Sequence, residues 1–126
     1  MNEVVFKEES YSIIGACMHV HSKLGSGFLE SVYSEALTIE FSKRGITFEK
    51  EKKLPVYYDG QLLKKYFIAD FVCYGKIIIE IKSVKMIIEP HRLQTLNNIK
   101  STQFQLGILI NFGTPSLTYK RLINTK

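Results

Sequence analysis

The chain has 126 residues, 45% hydrophobic and 23% charged, with a net charge of +5. That length fits one domain spanning 1–126 and suffices to bury a core, and the ordinary apolar-to-charged balance excludes disorder across the whole chain. A basic excess suits a polyanionic partner, because Lys and Arg displace counterions from phosphates.

Cys17 and Cys73 lie far apart without CxxC spacing, which argues against a zinc or iron–sulfur site. Both sit among apolar residues and read as buried free thiols. The opening segment 1–10 is rich in Glu and Lys and lacks the character of a signal peptide. No apolar run approaches the roughly 20 residues needed to span a bilayer. No membrane contact is expected, and a cytoplasmic protein follows by elimination.

A first helix is predicted over 11–24, with Ser10 as N-cap and Ile13, Ile14, Cys17, Val20, His21 and Leu24 as its apolar stripe. Gly25-Ser26-Gly27 interrupts it. A second helix follows over 29–43, with Val32, Tyr33, Ala36, Leu37 and Phe41 on one face and Gly45 as its stop. The period then changes. Residues 47–52 read as an exposed strand, and 55–58 lead into the hairpin signal Asp59-Gly60. Residues 66–73 and 76–83 are two further strands. A third helix is predicted over 90–101, opened by Pro90 and carrying Leu93, Leu96 and Ile99 inward. Residues 106–112 form a near-continuous apolar run, hence a strand buried on both faces, and 117–123 read as an edge strand. The economical solution is an α/β fold, one mixed sheet with helices packed on it.

Charged residues stand inside the most apolar stretch. Asp70, Glu80 and Lys82 lie among Ile68, Phe71, Val72, Ile77, Ile78, Ile79 and Ile81. Buried charges are normally paired or bound to metal. Glu80 and Lys82, two apart, share one face of their strand. If the connection at Tyr74, Gly75 and Lys76 has three residues, Cys73 pairs with Ile77 and Asp70 falls opposite Glu80. A two-residue loop would put Asp70 on the other face. Two carboxylates and a lysine in one cleft suit phosphodiester hydrolysis, since hard oxygen ligands bind Mg²⁺ (or Mn²⁺) and lysine stabilises developing charge. The Ile81 carbonyl is a further candidate ligand. A plain salt bridge between Lys82 and one carboxylate would explain the same residues without catalysis.

Ala69-Asp70 followed by Glu80-Ile81-Lys82 resembles the D…ExK signature of the PD-(D/E)xK nuclease superfamily. Gly27-Phe28-Leu29-Glu30-Ser31-Val32-Tyr33 resembles the motif that names the GxxExxY protein family, a bacterial branch of that superfamily. Val20-His21-Ser22-Lys23-Leu24-Gly25 and Leu109-Ile110-Asn111-Phe112-Gly113 are similar to the same family, so the resemblance spans 14–121. It implies a restriction-endonuclease-like core, a mixed central sheet flanked by helices. It implies Asp70 and Glu80 as metal ligands, Lys82 as the catalytic lysine and Glu30 as a carboxylate added to the metal site from a helix. Gln94 matches the glutamine of the QxxxY motif of RecB-like members. Ala69 stands where the superfamily name has proline, and Asn98 where QxxxY has tyrosine.

Other residues have plainer explanations. Glu30, one turn before Tyr33, is also an ordinary first-turn glutamate favoured by the helix dipole. His19 and His21 cannot face the same way on a helix; His21 suits a core or supporting position. His91 reads as a surface residue near the third helix. Lys50, Lys52, Lys53, Lys64, Lys65 and Lys85 form a candidate basic rim, although lysines on strand ends also serve solubility. The leading expectation is a Mg²⁺-dependent nuclease acting on nucleic acid, DNA favoured over RNA. The alternative is a catalytically inactive nuclease-fold module that binds nucleic acid or a protein partner. So small a domain leaves little surface to grip a duplex, which a homodimer or a larger partner could supply.

Overall fold

The computed structural model describes residues 5–125; residues 1–4 of the opening segment and Lys126 lie outside it. The order is α1 (Lys7–Leu24), α2 (Glu30–Lys43), β1 (Phe48–Tyr58), β2 (Gln61–Cys73), β3 (Ile77–Lys82), α3 (Glu89–Thr102), β4 (Leu106–Asn111) and β5 (Thr118–Ile123). The strands form one mixed sheet in the order β1-β2-β3-β4-β5, in which only the β3–β4 pair is parallel. That pair needs a crossover, and α3 supplies it. Among the described residues no helix is long and apolar enough to cross a membrane.

The α1 helix starts four residues before the predicted Tyr11. Val5 and Phe6 pack against the core, which anchors the chain ahead of the expected cap. Glu8 and Glu9 occupy the first turn, where the helix dipole favours carboxylates, and Glu9 pairs with Lys76 at 2.9 Å. Ser10 is therefore a buried residue inside the helix, its hydroxyl accepting a hydrogen bond from Arg121 Nε at 3.3 Å. Residues 47–52 and 55–58 join into the single strand β1. Pro55 is tolerated there because β1 is an edge strand.

The turn after β2 has three residues: Cys73 pairs with Ile77, and Tyr74 and Gly75 carry φ values of 57° and 70°. On one face of the sheet, α1 and α2 pack Ile13, Cys17, Val20, Tyr33, Leu37 and Phe41 against Phe71, Ile77, Ile79, Ile81, Ile108 and Ile110. On the other face, α3 lays Ile99 and Leu96 over Val72, Ile78 and Leu122. The inward side of α3 is Thr95, Ile99 and Thr102; Leu93, expected inward, is exposed. Helix and sheet meet this closely over Gly107, where a Cβ would collide with Ile99.

Candidate active site

Along β3, Ile77, Ile79 and Ile81 enter the α1–α2 core and Ile78 the α3 core. The two-residue period of a strand therefore turns Glu80 and Lys82 to the α3 side. The β2–β3 register runs Cys73↔Ile77, Val72↔Ile78, Phe71↔Ile79, and Asp70 and Glu80 are the next residues beyond it. The ladder ends there. Instead of a backbone bond, Asp70 Oδ2 accepts the Ile81 N–H at 2.7 Å. In an extended strand the N–H and C=O of one residue share a side, so the Ile81 carbonyl lies on the Asp70 side. The Lys82 carbonyl points the other way and accepts the Phe112 N–H at 2.8 Å.

The electrostatics match this crowding. Burial pushes the Glu80 carboxyl up to about 8, with the Asp70 charge adding to the rise; the Asp70 backbone N–H and Lys82 oppose it, and Glu30 adds a little. Burial also raises Asp70, opposed by the Ile81 N–H, with smaller upward pushes from Glu30 and Glu51. Among the described residues, Glu80 Oε2 is the one buried side-chain oxygen or nitrogen without a hydrogen-bond partner. Lys82 is half-buried and forms no ion pair with any described residue, so the plain salt bridge is not made. A buried, partnerless carboxylate oxygen beside a second carboxylate fits a hard divalent cation, which would supply the missing partner and relieve the repulsion.

Not every expected residue joins. Glu30 is exposed at the start of α2, and its Oε2 accepts the Ser83 N–H at 3.3 Å. Among the described residues no three His, Cys, Asp or Glu side chains stand close enough to hold a metal ion together, so Glu30 lines the rim as arranged here. Gln94 is exposed on α3 and makes no hydrogen bond with the described residues. The sequence carries no signal for Glu51. It sits at the base of the β1–β2 ribbon with a φ of 51°, near enough to raise Asp70, and no glycine or turn signal marks it.

The model of the PD-(D/E)XK nuclease superfamily matches residues 7–122. The chain belongs to this superfamily. The crystal structure of SSO0001 shares its fold, with a TM-score of 0.58 at 19% identity; the match covers 75% of this chain and 50% of that one, so the chain spans half that protein's length. No curated protein matches the chain. PD-(D/E)XK nucleases typically use divalent metal ions.

In this PD-(D/E)XK domain the end of β3 is held from two sides. From α2, Glu30 takes the Ser83 N–H, while Ser83 Oγ donates to the Phe28 carbonyl at 2.6 Å. The Tyr33 hydroxyl donates to the Gly25 carbonyl at 2.5 Å and accepts the Phe28 N–H at 3.3 Å, and its ring stacks on Phe112 at 4.4 Å. From β4, buried Asn111 accepts the Val84 and Gly113 N–H groups through Oδ1, both at 3.0 Å, and donates to the Val84 carbonyl at 2.9 Å. Gly113 has no room for a Cβ, which would collide with the Val84 backbone. The stretches around Glu30 and Asn111 thus meet at Ser83 and Val84. His21 supports this end, its Nε2 lying 2.9 Å from the Thr114 carbonyl. His91 accepts the Ile88 N–H through Nδ1 at 3.1 Å and helps begin α3.

Proposed function

We propose that the chain is a divalent-metal-dependent nuclease of the GxxExxY family, acting as a single domain over 1–126 on phosphodiester bonds of nucleic acid, DNA in preference to RNA. The observation that carries this reading is the buried, partnerless Glu80 Oε2 beside Asp70. Asp70, Glu80 and the Ile81 carbonyl would hold Mg²⁺ or Mn²⁺. When bound, such an ion lowers the pKa of a water and neutralises charge on the phosphoryl group. Lys82, with no carboxylate partner among the described residues, would donate to the attacking water or to the phosphate oxygen where charge grows. Asp70 has a second task, since its bond to Ile81 N fixes the peptide between the two ExK side chains. Glu30 positions the Ser83 backbone, Tyr33 holds the Gly25–Phe28 turn beside it, and Gln94 offers a substrate contact from α3. A homodimer or a larger partner would supply the surface needed to hold a duplex.

The test is a cleavage assay on single- and double-stranded DNA and RNA with Mg²⁺ or Mn²⁺. Cleavage that stops in EDTA and in Glu80→Ala is expected; no cleavage of any substrate with either ion would overturn the proposal. A second reading, an inactive module that binds nucleic acid, draws on the absence of a three-carboxylate group among the described residues. Lys82→Ala separates them. In the nuclease it removes turnover and spares metal and substrate binding, because lysine acts on the transition state. In the module it weakens binding slightly and lowers the salt dependence by about one charge.

A further inference from the structure

β2 pairs with β3 only from Phe71 to Cys73, whereas it pairs with β1 from Gln61 to Cys73. Residues 52–69 therefore form a two-stranded arm whose base carries Asp70. One side of the arm is covered: Leu54 and Phe67 pack with Leu96 and Ile99 of α3. Alternation puts Lys53, Tyr66 and Ile68 on the other side. That side is bare, with Tyr66 52% and Ile68 48% exposed; Tyr58 has the parity of Leu54 and stands beyond the covered stretch, at the tip, where it is 72% exposed. Lys53 Nζ lies 4.8 Å from the Tyr66 ring centroid. Between the pairs Pro55↔Tyr66 and Tyr57↔Leu62 the register shifts, so that Leu63, Lys64 and Lys65 bulge opposite Val56 alone.

The chemistry of this surface selects its occupant. Within 52–68 four lysines stand against one acid, Asp59. Lys52 is paired with Glu49 at 2.9 Å, but Lys53, Lys64 and Lys65 have no carboxylate partner among the described residues. A second copy docked symmetrically on this side would set these lysines against themselves. A polyanion would be attracted instead. Exposed tyrosine rings interleaved with lysines form the combination that holds an unpaired nucleic-acid strand, since bases stack on the rings while phosphates meet the ammonium groups. In a duplex the base faces are already stacked on one another, which leaves the rings without partners.

We infer that the β1–β2 arm is a binding site for single-stranded nucleic acid that runs along the bare side, over Lys53 and Tyr66, and around the tip past Lys64, Lys65 and Tyr58. This rests on the nuclease reading and narrows its substrate to nucleic acid with an unpaired segment. Fluorescence anisotropy of the full chain, in EDTA so that nothing is cleaved, tests it with labelled DNA of one sequence, unpaired or duplex. The unpaired strand should bind about tenfold tighter or more. Tyr58→Ala and Tyr66→Ala should each weaken it by roughly 5- to 140-fold, the range of one lost base stack, while Tyr58→Phe and Tyr66→Phe keep wild-type binding. The double variant Lys64→Ala, Lys65→Ala should flatten the log–log salt slope by about 1.4. Preference for the duplex, or wild-type binding by both alanine variants, would overturn the inference. So would a dimer in sedimentation that Tyr58→Ala dissociates, because the arm would then belong to a second copy. The two proposals can fail separately. Tyrosine-dependent binding without metal-dependent cleavage supports the arm and removes the nuclease, and cleavage with unchanged binding by both alanine variants does the reverse.

Discussion

Asn111 and Glu80 occupy the same face of the sheet on adjacent parallel strands, Asn111 in register with Lys82, two residues from Glu80. Asn111 is wholly buried, and its amide makes three hydrogen bonds that tie Val84 to Gly113. Glu80 is held nearby with a buried oxygen that no described group satisfies. A protein interior tolerates a polar group at low cost only when it is paired, so the first arrangement reads as structure and the second as the candidate metal-ligating group proposed above.

The largest effects should separate these two roles. Lys82→Ala should lower kcat by about 10²–10³-fold, the loss typical of one electrostatic donor, with the urea unfolding midpoint unchanged. Asn111→Ala should do the opposite in kind. It strands the Val84 N–H, the Val84 carbonyl and the Gly113 N–H, and should cost about 3–5 kcal/mol in urea unfolding. If Asn111→Ala proved as stable as wild type, the contrast would collapse.

Asp70 stands between the extremes, because it is satisfied by Ile81 N and crowded by Glu80. Asp70→Ala should cost about 1–3 kcal/mol through the unpaired Ile81 N–H, despite the relief of repulsion. Asp70→Asn, which keeps an acceptor, should fold nearly as well as wild type while losing metal affinity in a calorimetric titration. The smallest effect is a slope with pH. The folded Glu80 carboxyl is raised to about 8 from 4.5. Between those values the folded state holds a proton that the unfolded chain has released, so metal-free stability should fall as pH rises through that window. The slope cannot exceed one proton, about 1.4 kcal/mol per pH unit. Glu80→Gln should flatten it, as read by urea unfolding at a series of pH values.

Much of this geometry was legible in the sequence because it follows from strand parity. Charges amid isoleucines marked the central strands, and Gly75 allowed the three-residue turn that brings Asp70 beside Glu80. Parity left the turn length open; the register decides it. What stayed hidden depends on distant contacts. The early start of α1 rests on Phe6 meeting the core and Lys76 pairing with Glu9. The rotation of α3 follows from the close approach of Ile99 to Gly107, which the Leu93, Leu96, Ile99 spacing could not announce. The clamp at Asn111 joins groups 27 residues apart, and Glu51 takes its left-handed backbone without a glycine. Glu30 shows the limit of a local motif, which places the carboxylate at the helix start but not the direction it finally takes.

Calorimetric titration of Mn²⁺ or Mg²⁺ into the wild-type chain and Glu80→Gln, at a pH above 8, tests the proposed metal-binding pair most directly. One ion should bind the wild type, and Glu80→Gln should bind at least about tenfold more weakly, a loss of about 1.4 kcal/mol or more. Equal affinity in the two proteins, or no heat at millimolar metal, would contradict the assignment of Asp70 and Glu80 as the metal-binding pair.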